Sequence, residues 1–60
     1  MDKGLKEGIR LFHSNRYELA LREFLNVKDS PAENLELSYY LGLCYTKLKQ
    51  FDDALLYLEQ

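Results

Sequence analysis

The sequence predicts an all-α domain made of four helices in two repeated units, and three observations point there. Apolar residues recur every three or four positions in four stretches, the spacing of one helix face. Short polar clusters separate those stretches. The chain also repeats its own pattern after 34 residues. Gly8 recurs as Gly42, Ala20 as Ala54 and Leu21 as Leu55. Ile9 becomes Leu43, Leu11 becomes Tyr45, Tyr17 becomes Phe51 and Phe24 becomes Leu58, so size and apolar character are kept. A fixed period of this length marks stacked supersecondary units. Residues 1–34 form the first unit and 35–60 a shortened second, within one domain.

The first helix is expected from Met1 to His13, where Leu5, Ile9 and Phe12 make one apolar stripe. Asp2 suits its N-cap or its positive end. Gly8 weakens the helix by up to about 1 kcal/mol relative to Ala, and the reason expected for it is close approach of the second helix at Ala20. Ser14, Asn15 and Arg16 form a turn, since Asn tolerates the left-handed conformation that ends many helices. Ser14 or Asn15 is also a candidate cap for the next helix. That helix is expected from Tyr17 to about Lys28, with Tyr17, Ala20, Leu21, Phe24, Leu25 and Val27 on a wide apolar face.

Asp29, Ser30 and Pro31 interrupt the pattern. Ser30, Pro31 and Glu33 read as an N-cap, a first helical position and a capping-box acid. A third helix is therefore expected from Pro31 to about Lys47. Leu37, Leu41, Cys44, Tyr45 and Leu48 form its main stripe, while Tyr39, Tyr40 and Leu43 lie on other faces. A helix apolar on several sides is contacted on several sides. Leu48, Lys49 and Gln50 make the last turn, and Phe51 to Gln60 begins a fourth helix with Asp52 and Asp53 at its positive end. No Gly or Pro lies between Cys44 and Gln60. Fusion of the last two helices and their exchange between two chains is thus a second expectation for this region. The fourth helix is expected to be cut short, the chain being the N-terminal part of a longer array.

The order of residue sizes resembles the tetratricopeptide repeat (TPR). In Gly42, Tyr45, Phe51, Ala54 and Leu58 the match is good; in Gly8, Leu11, Tyr17, Ala20 and Phe24 it is moderate, with Pro31 near the closing position. The large residue the family often carries four places before the Gly is Gly4 in one unit and Ser38 in the other. The Leu that often precedes the Gly is Leu41 in the second unit but Glu7 in the first. The resemblance implies two antiparallel helix-turn-helix hairpins stacked as the start of an α-solenoid superhelix. It also implies a concave groove formed by the first helix of each hairpin. By matching position that groove takes Leu5, Ile9 and Phe12 from the first unit, and Glu36, Tyr39, Tyr40, Leu43 and Lys47 from the second. Some family members hold the carboxylate of a chaperone tail with a Lys and two Asn. Those places here are Leu5, Ile9 and Tyr40, so such a tail is not the expected ligand.

Composition narrows the function. Hydrophobic residues make up 47% and charged residues 30%, ordinary globular values. A net charge of −2 and a pI near 5.2 leave no nucleic-acid footprint. The single Cys excludes an internal disulfide and fits a reducing compartment, the cytoplasm being the expected one. No apolar run reaches the ~20 residues of a membrane span, and no apolar signal-peptide core follows Met1 to Gly4. His13, alone of its kind, suits the negative end of the first helix. Cys44 reads as a packed small hydrophobe. Neighbouring Asp52 and Asp53 do not face each other on a helix, and Ser14 and Ser30 read as turn residues. Lys3, Lys6, Arg10 and Arg16, interspersed with acids, read as a solvated face. No enzyme, cofactor or metal site is expected. Five Tyr and three Phe in 60 residues favour recognition, because Tyr offers large area at low entropic cost. The leading expectation is a non-catalytic scaffold whose groove binds an apolar or aromatic-bearing peptide or helix of a protein partner. The alternative is a self-association module that oligomerises or swaps helices, its aromatics packing on neighbouring repeats or a second copy.

Overall fold

In the computed structural model the chain is described over residues 3–28 and 33–58. Those residues form four helices and no strand: α1 Lys3–His13, α2 Tyr17–Leu25, α3 Leu35–Lys47 and α4 Phe51–Leu58. Helix α1 packs on α2 and α3 on α4, while α3 also lies against α2 and touches α1. The fold is compact, with a radius of gyration of 10.2 Å.

The two short turns are the same structure twice. Asn15 (φ 65°) and Lys49 (φ 63°) are left-handed. The Arg16 N–H donates to the Leu11 carbonyl at 2.9 Å and the Asn15 N–H to Phe12 at 3.0 Å. In the second turn the Gln50 N–H donates to Tyr45 at 2.8 Å and the Lys49 N–H to Thr46 at 3.0 Å. This paired closure is the Schellman motif, which satisfies carbonyls left over at a helix end. Both turns then start the next helix alike, through Ala20 N–H to Arg16 carbonyl and Ala54 N–H to Gln50 carbonyl. The cap expected from Ser14 or Asn15 is not used: Arg16 is at the N-cap of α2 without a side-chain cap bond. The Asn15 side chain instead accepts from the Tyr17 hydroxyl at 2.8 Å. Within the chain, α3 and α4 are separate helices, because Lys49 adopts the conformation that a Gly usually supplies.

Two helix boundaries differ from expectation. Helix α2 ends at Leu25, after which Asn26 and Val27 donate to Glu23 and Phe24 in tighter three-residue steps. Val27 still turns inward, at 8% exposure. Helix α3 begins at Leu35 rather than Pro31, because Asn34 takes an extended backbone and its side chain accepts from the Leu37 N–H at 3.1 Å. Asn is among the strongest N-caps, and here it displaces the start expected near Ser30; Glu33 lies in the preceding turn. Asp2, Ser30, Pro31 and Gln60, for which roles were expected, lie outside the described residues.

The core joins Leu5 of α1, Ala20 and Phe24 of α2, Val27 beyond it, and Leu37, Leu41 and Cys44 of α3. Both glycines lie where helices approach, and the side chain nearest to each is a large one. A Cβ on Gly8 would sit 2.5 Å from the Phe24 ring, and one on Gly42 would sit 2.5 Å from Leu58. Phe24 and Leu58 are themselves one period apart, so the glycine accommodates the large residue of each unit. Ala20 and Ala54 are buried as well. Helix α4 buries only Ala54, and Phe51, the counterpart of Tyr17, is 59% exposed.

Candidate functional site

Helix α1 delivers Phe12 and His13 to its C-terminal end. The Asn15 turn places Tyr17 beside them, and α3 crosses with Tyr39 and Tyr40. The result is a continuous aromatic ridge. Phe12 meets Tyr17 edge-on at 5.3 Å and Tyr40 at 5.4 Å between centroids. His13 lies edge-on to Phe12 at 5.7 Å and to Tyr40 at 6.3 Å. Tyr40 stacks on buried Phe24 at 5.5 Å, and Tyr39 adjoins Tyr40 at 5.7 Å. Edge-to-face and offset pairs of this size add about 0.5–1.5 kcal/mol each beyond area burial. The ridge is therefore tied to the core through Tyr40. The Lys47 ammonium stands 5.9 Å from the Tyr17 ring centre, within cation–π range.

The expected groove residues divide on this geometry. Phe12, Tyr39 and Tyr40 belong to the ridge, and Lys47 reaches it through Tyr17. Ile9 and Leu43 are half-buried and Glu36 is exposed. Leu5 is a correction: at 3% exposure it is part of the core, with no surface to offer a ligand. Tyr17 and His13 join the ridge although neither was expected at a binding surface. Their helical spacing accounts for packing or helix-end charge and gives no sign of the neighbour that α3 brings. A shallow depression beside the ridge is lined by Asn15, Arg16, Tyr17, Glu18, Leu19 and Leu48.

A second surface is apolar and open. Leu35, Tyr39 and Leu58 are 77%, 57% and 45% exposed. Leu35, Ser38, Tyr39, Tyr57 and Leu58 line a groove between the start of α3 and the end of α4. The Ser38 hydroxyl is buried there and donates to the Tyr57 carbonyl at 3.2 Å, which ties the two helices together. Tyr57 also stacks on Tyr45 at 5.7 Å.

The electrostatics are local. Glu7 and Arg10 form an exposed ion pair on α1. Hydrogen bonding to Arg10 holds the Glu7 carboxyl below its usual range and raises the guanidinium in return. Burial pushes the Cys44 thiol up to about 11. It keeps the thiol protonated at neutral pH, and a thiol is a poor nucleophile. Burial, then the neighbouring Tyr57, Asp53 and Cys44, raise Tyr45. Among the described residues no three His, Cys, Asp or Glu side chains converge as metal ligands. Among the same residues no helix is long and apolar enough to cross a membrane.

The chain is similar to a protein of Arabidopsis thaliana whose name marks it as chloroplastic, with 37% identity over 62 aligned positions. That alignment covers 98% of this chain but 18% of the relative, so the chain spans less than a fifth of the relative's length. No family model matches the chain, and no solved structure matches it.

Proposed function

We propose that this chain is a helical-repeat module of the tetratricopeptide type, two helix-turn-helix hairpins opening an α-solenoid. Its role in this reading is that of a non-catalytic scaffold that binds a peptide or helix of a protein partner. The observation that carries the reading is the repetition of turn geometry at 34 residues: the same left-handed residue and the same bonds around Asn15 and Lys49. The ridge supplies the recognition surface, with rigid Phe12 and Tyr40, accessible Tyr39, and Lys47 and Glu36 as polar rim. Its aromatic content favours an apolar or aromatic-bearing ligand over an acidic one. Similarity to 18% of a longer protein suits a module within a larger architecture. A buried thiol suits a reducing compartment. The cytoplasm is the reading from the sequence, and the relative's name adds the chloroplast, so imaging a tagged copy decides between them.

Selection of peptides from a displayed random library against the chain, followed by tyrosine-fluorescence titration, tests the scaffold. Saturable binding by a monomer, weakened at least tenfold by Lys47→Glu, is expected. Failure to select any binder, or binders indifferent to Lys47, refutes it. A second reading, self-association, is favoured by Phe51, Leu55 and Leu56, each at least half exposed on α4. It predicts a mass that doubles with concentration in light scattering.

A further inference from the structure

We infer that Tyr45 and Tyr57 form a covalent modification site, where a peroxide-driven one-electron oxidant joins the two rings into a dityrosine and so links α3 to α4. The rings are parallel within 12° and their centroids lie 5.7 Å apart. At that separation parallel rings form an offset stack, which brings carbons of one phenol beside carbons of the other. Among the described residues this is the ring pair that joins tyrosines of two different helices. Tyr39 and Tyr40 also meet, but at 73° and on one helix. Backbone bonds hold the stacked pair in place. The Tyr57 carbonyl accepts from the buried Ser38 hydroxyl at 3.2 Å, and the Tyr45 carbonyl accepts from the Gln50 N–H at 2.8 Å. One period earlier the same places are Leu11 and Glu23, so the pair belongs to the second hairpin alone.

In the step each phenol gives one electron to the oxidant and one proton to water, and becomes a neutral phenoxyl radical. The unpaired electron is shared with the ring carbons beside the one that carries oxygen. A bond forms between one such carbon of Tyr45 and one of Tyr57. Each ring then moves the hydrogen of its bonding carbon to its oxygen and regains aromaticity as a biphenol. The chain loses two hydrogens, and the two electrons break one peroxide O–O bond, giving two waters from hydrogen peroxide or two sulfates from persulfate. At Tyr45 the proton leaves with the electron, because burial and then Tyr57, Asp53 and Cys44 keep its phenol protonated. The Cys44 thiol is fully buried and protonated too, so no thiolate competes for the oxidant. Coupling needs no open surface: the rings are already stacked, and chain packed over Tyr57 would leave that contact unchanged. Helix α4 buries only Ala54. A bond from it to α3 closes a loop through the second turn, which restricts the opened state as other cross-links do.

The test illuminates the whole chain, in dilute solution, with a tris-bipyridyl ruthenium sensitiser and persulfate. A single-chain product that has lost two hydrogens and shows biphenol fluorescence is expected. Trypsin cuts at Lys47 and Lys49, between the two tyrosines, so residues 29–47 and 50–60 should remain joined. Tyr45→Phe or Tyr57→Phe should lower the yield at least tenfold, and Tyr39→Phe or Tyr40→Phe less than twofold. Circular dichroism identifies the variants that keep their helices. Unfolding the chain in urea before illumination should lower the yield at least threefold. In the purified product the amides of α4 should exchange at least tenfold more slowly than in the untreated chain. The inference is overturned by products that only join two chains, or by oxygenated tyrosine without a cross-link. A two-hydrogen loss that survives Tyr45→Phe also overturns it, since Tyr39 or Cys44 would then be the partner. So does an equal yield from the unfolded chain, which would make the stacked geometry irrelevant.

Discussion

Gly8 and Gly42 occupy the same place in the two units, yet a methyl group at each has different consequences. At Gly8 it would meet the ring of Phe24, which is 1% exposed and held by Tyr40. At Gly42 it would meet Cδ2 and Cγ of Leu58, a side chain 45% exposed and bordered by solvent into which it can turn. Gly8→Ala should therefore cost about 1–3 kcal/mol through overpacking. Gly42→Ala should come out near neutral, because helix propensity returns up to about 1 kcal/mol. Urea unfolding of the two variants checks this, and equal losses would contradict the assignment of neighbours. Cys44 and Tyr45 give a pH dependence of definite sign. Both are acids harder to ionise in the fold, so the unfolded chain gives up its protons first. Stability should be intact below pH ~9 and decline as pH approaches about 11, the folded value of Cys44. Cys44→Ala should reduce that decline in denaturation curves taken across the range.

At the scale of elements the turns are the informative parts. Asn15 and Lys49 have one backbone conformation, but Asn accepts it more readily than Lys, because its short polar side chain bonds locally. Lys49→Gly should raise stability by about 0.5–1 kcal/mol, and Asn15→Gly by less, in thermal or chemical unfolding. The same change should oppose any exchange of α4 between chains, since straightening Lys49 into a helix is what exchange requires. Helix existence and the site of both short turns are legible in the sequence, through apolar spacing and the period. The start of α3 is not. Ser30, Pro31 and Glu33 form a good local start signal, yet Asn34 caps the helix. The Asn34 side chain accepts from the N–H of Leu37, which shares the core with Phe24, a tertiary setting that the local signal does not carry. The ridge is legible in part for the same reason. Unexplained aromatic content points to Phe12, Tyr39 and Tyr40, whereas Tyr17 reaches Phe12 through the Asn15 turn and His13 reaches Tyr40 because α3 crosses there. The resemblance to the repeat pattern assigns Leu5 to a groove, but Leu5 joins the core with Leu37, Leu41 and Cys44 of α3.

For the whole molecule, burial is unevenly shared. Helices α2 and α3 hold most of the core, and α4 contributes one buried residue, Ala54. Local opening follows the density of buried contacts. Amide hydrogen exchange should be fastest in α4 and slowest in the Leu37–Cys44 stretch of α3; uniform protection across the four helices would contradict that order.

The charges on α1 bear on what this chain avoids. An apolar groove at one pole and a matching apolar helix at the other would let molecules join in a row without closing, the geometry of a growing fibre. Lys3, Lys6, Glu7 and Arg10 make the second pole a non-matching surface. That one head-to-tail contact is therefore closed to polymerisation.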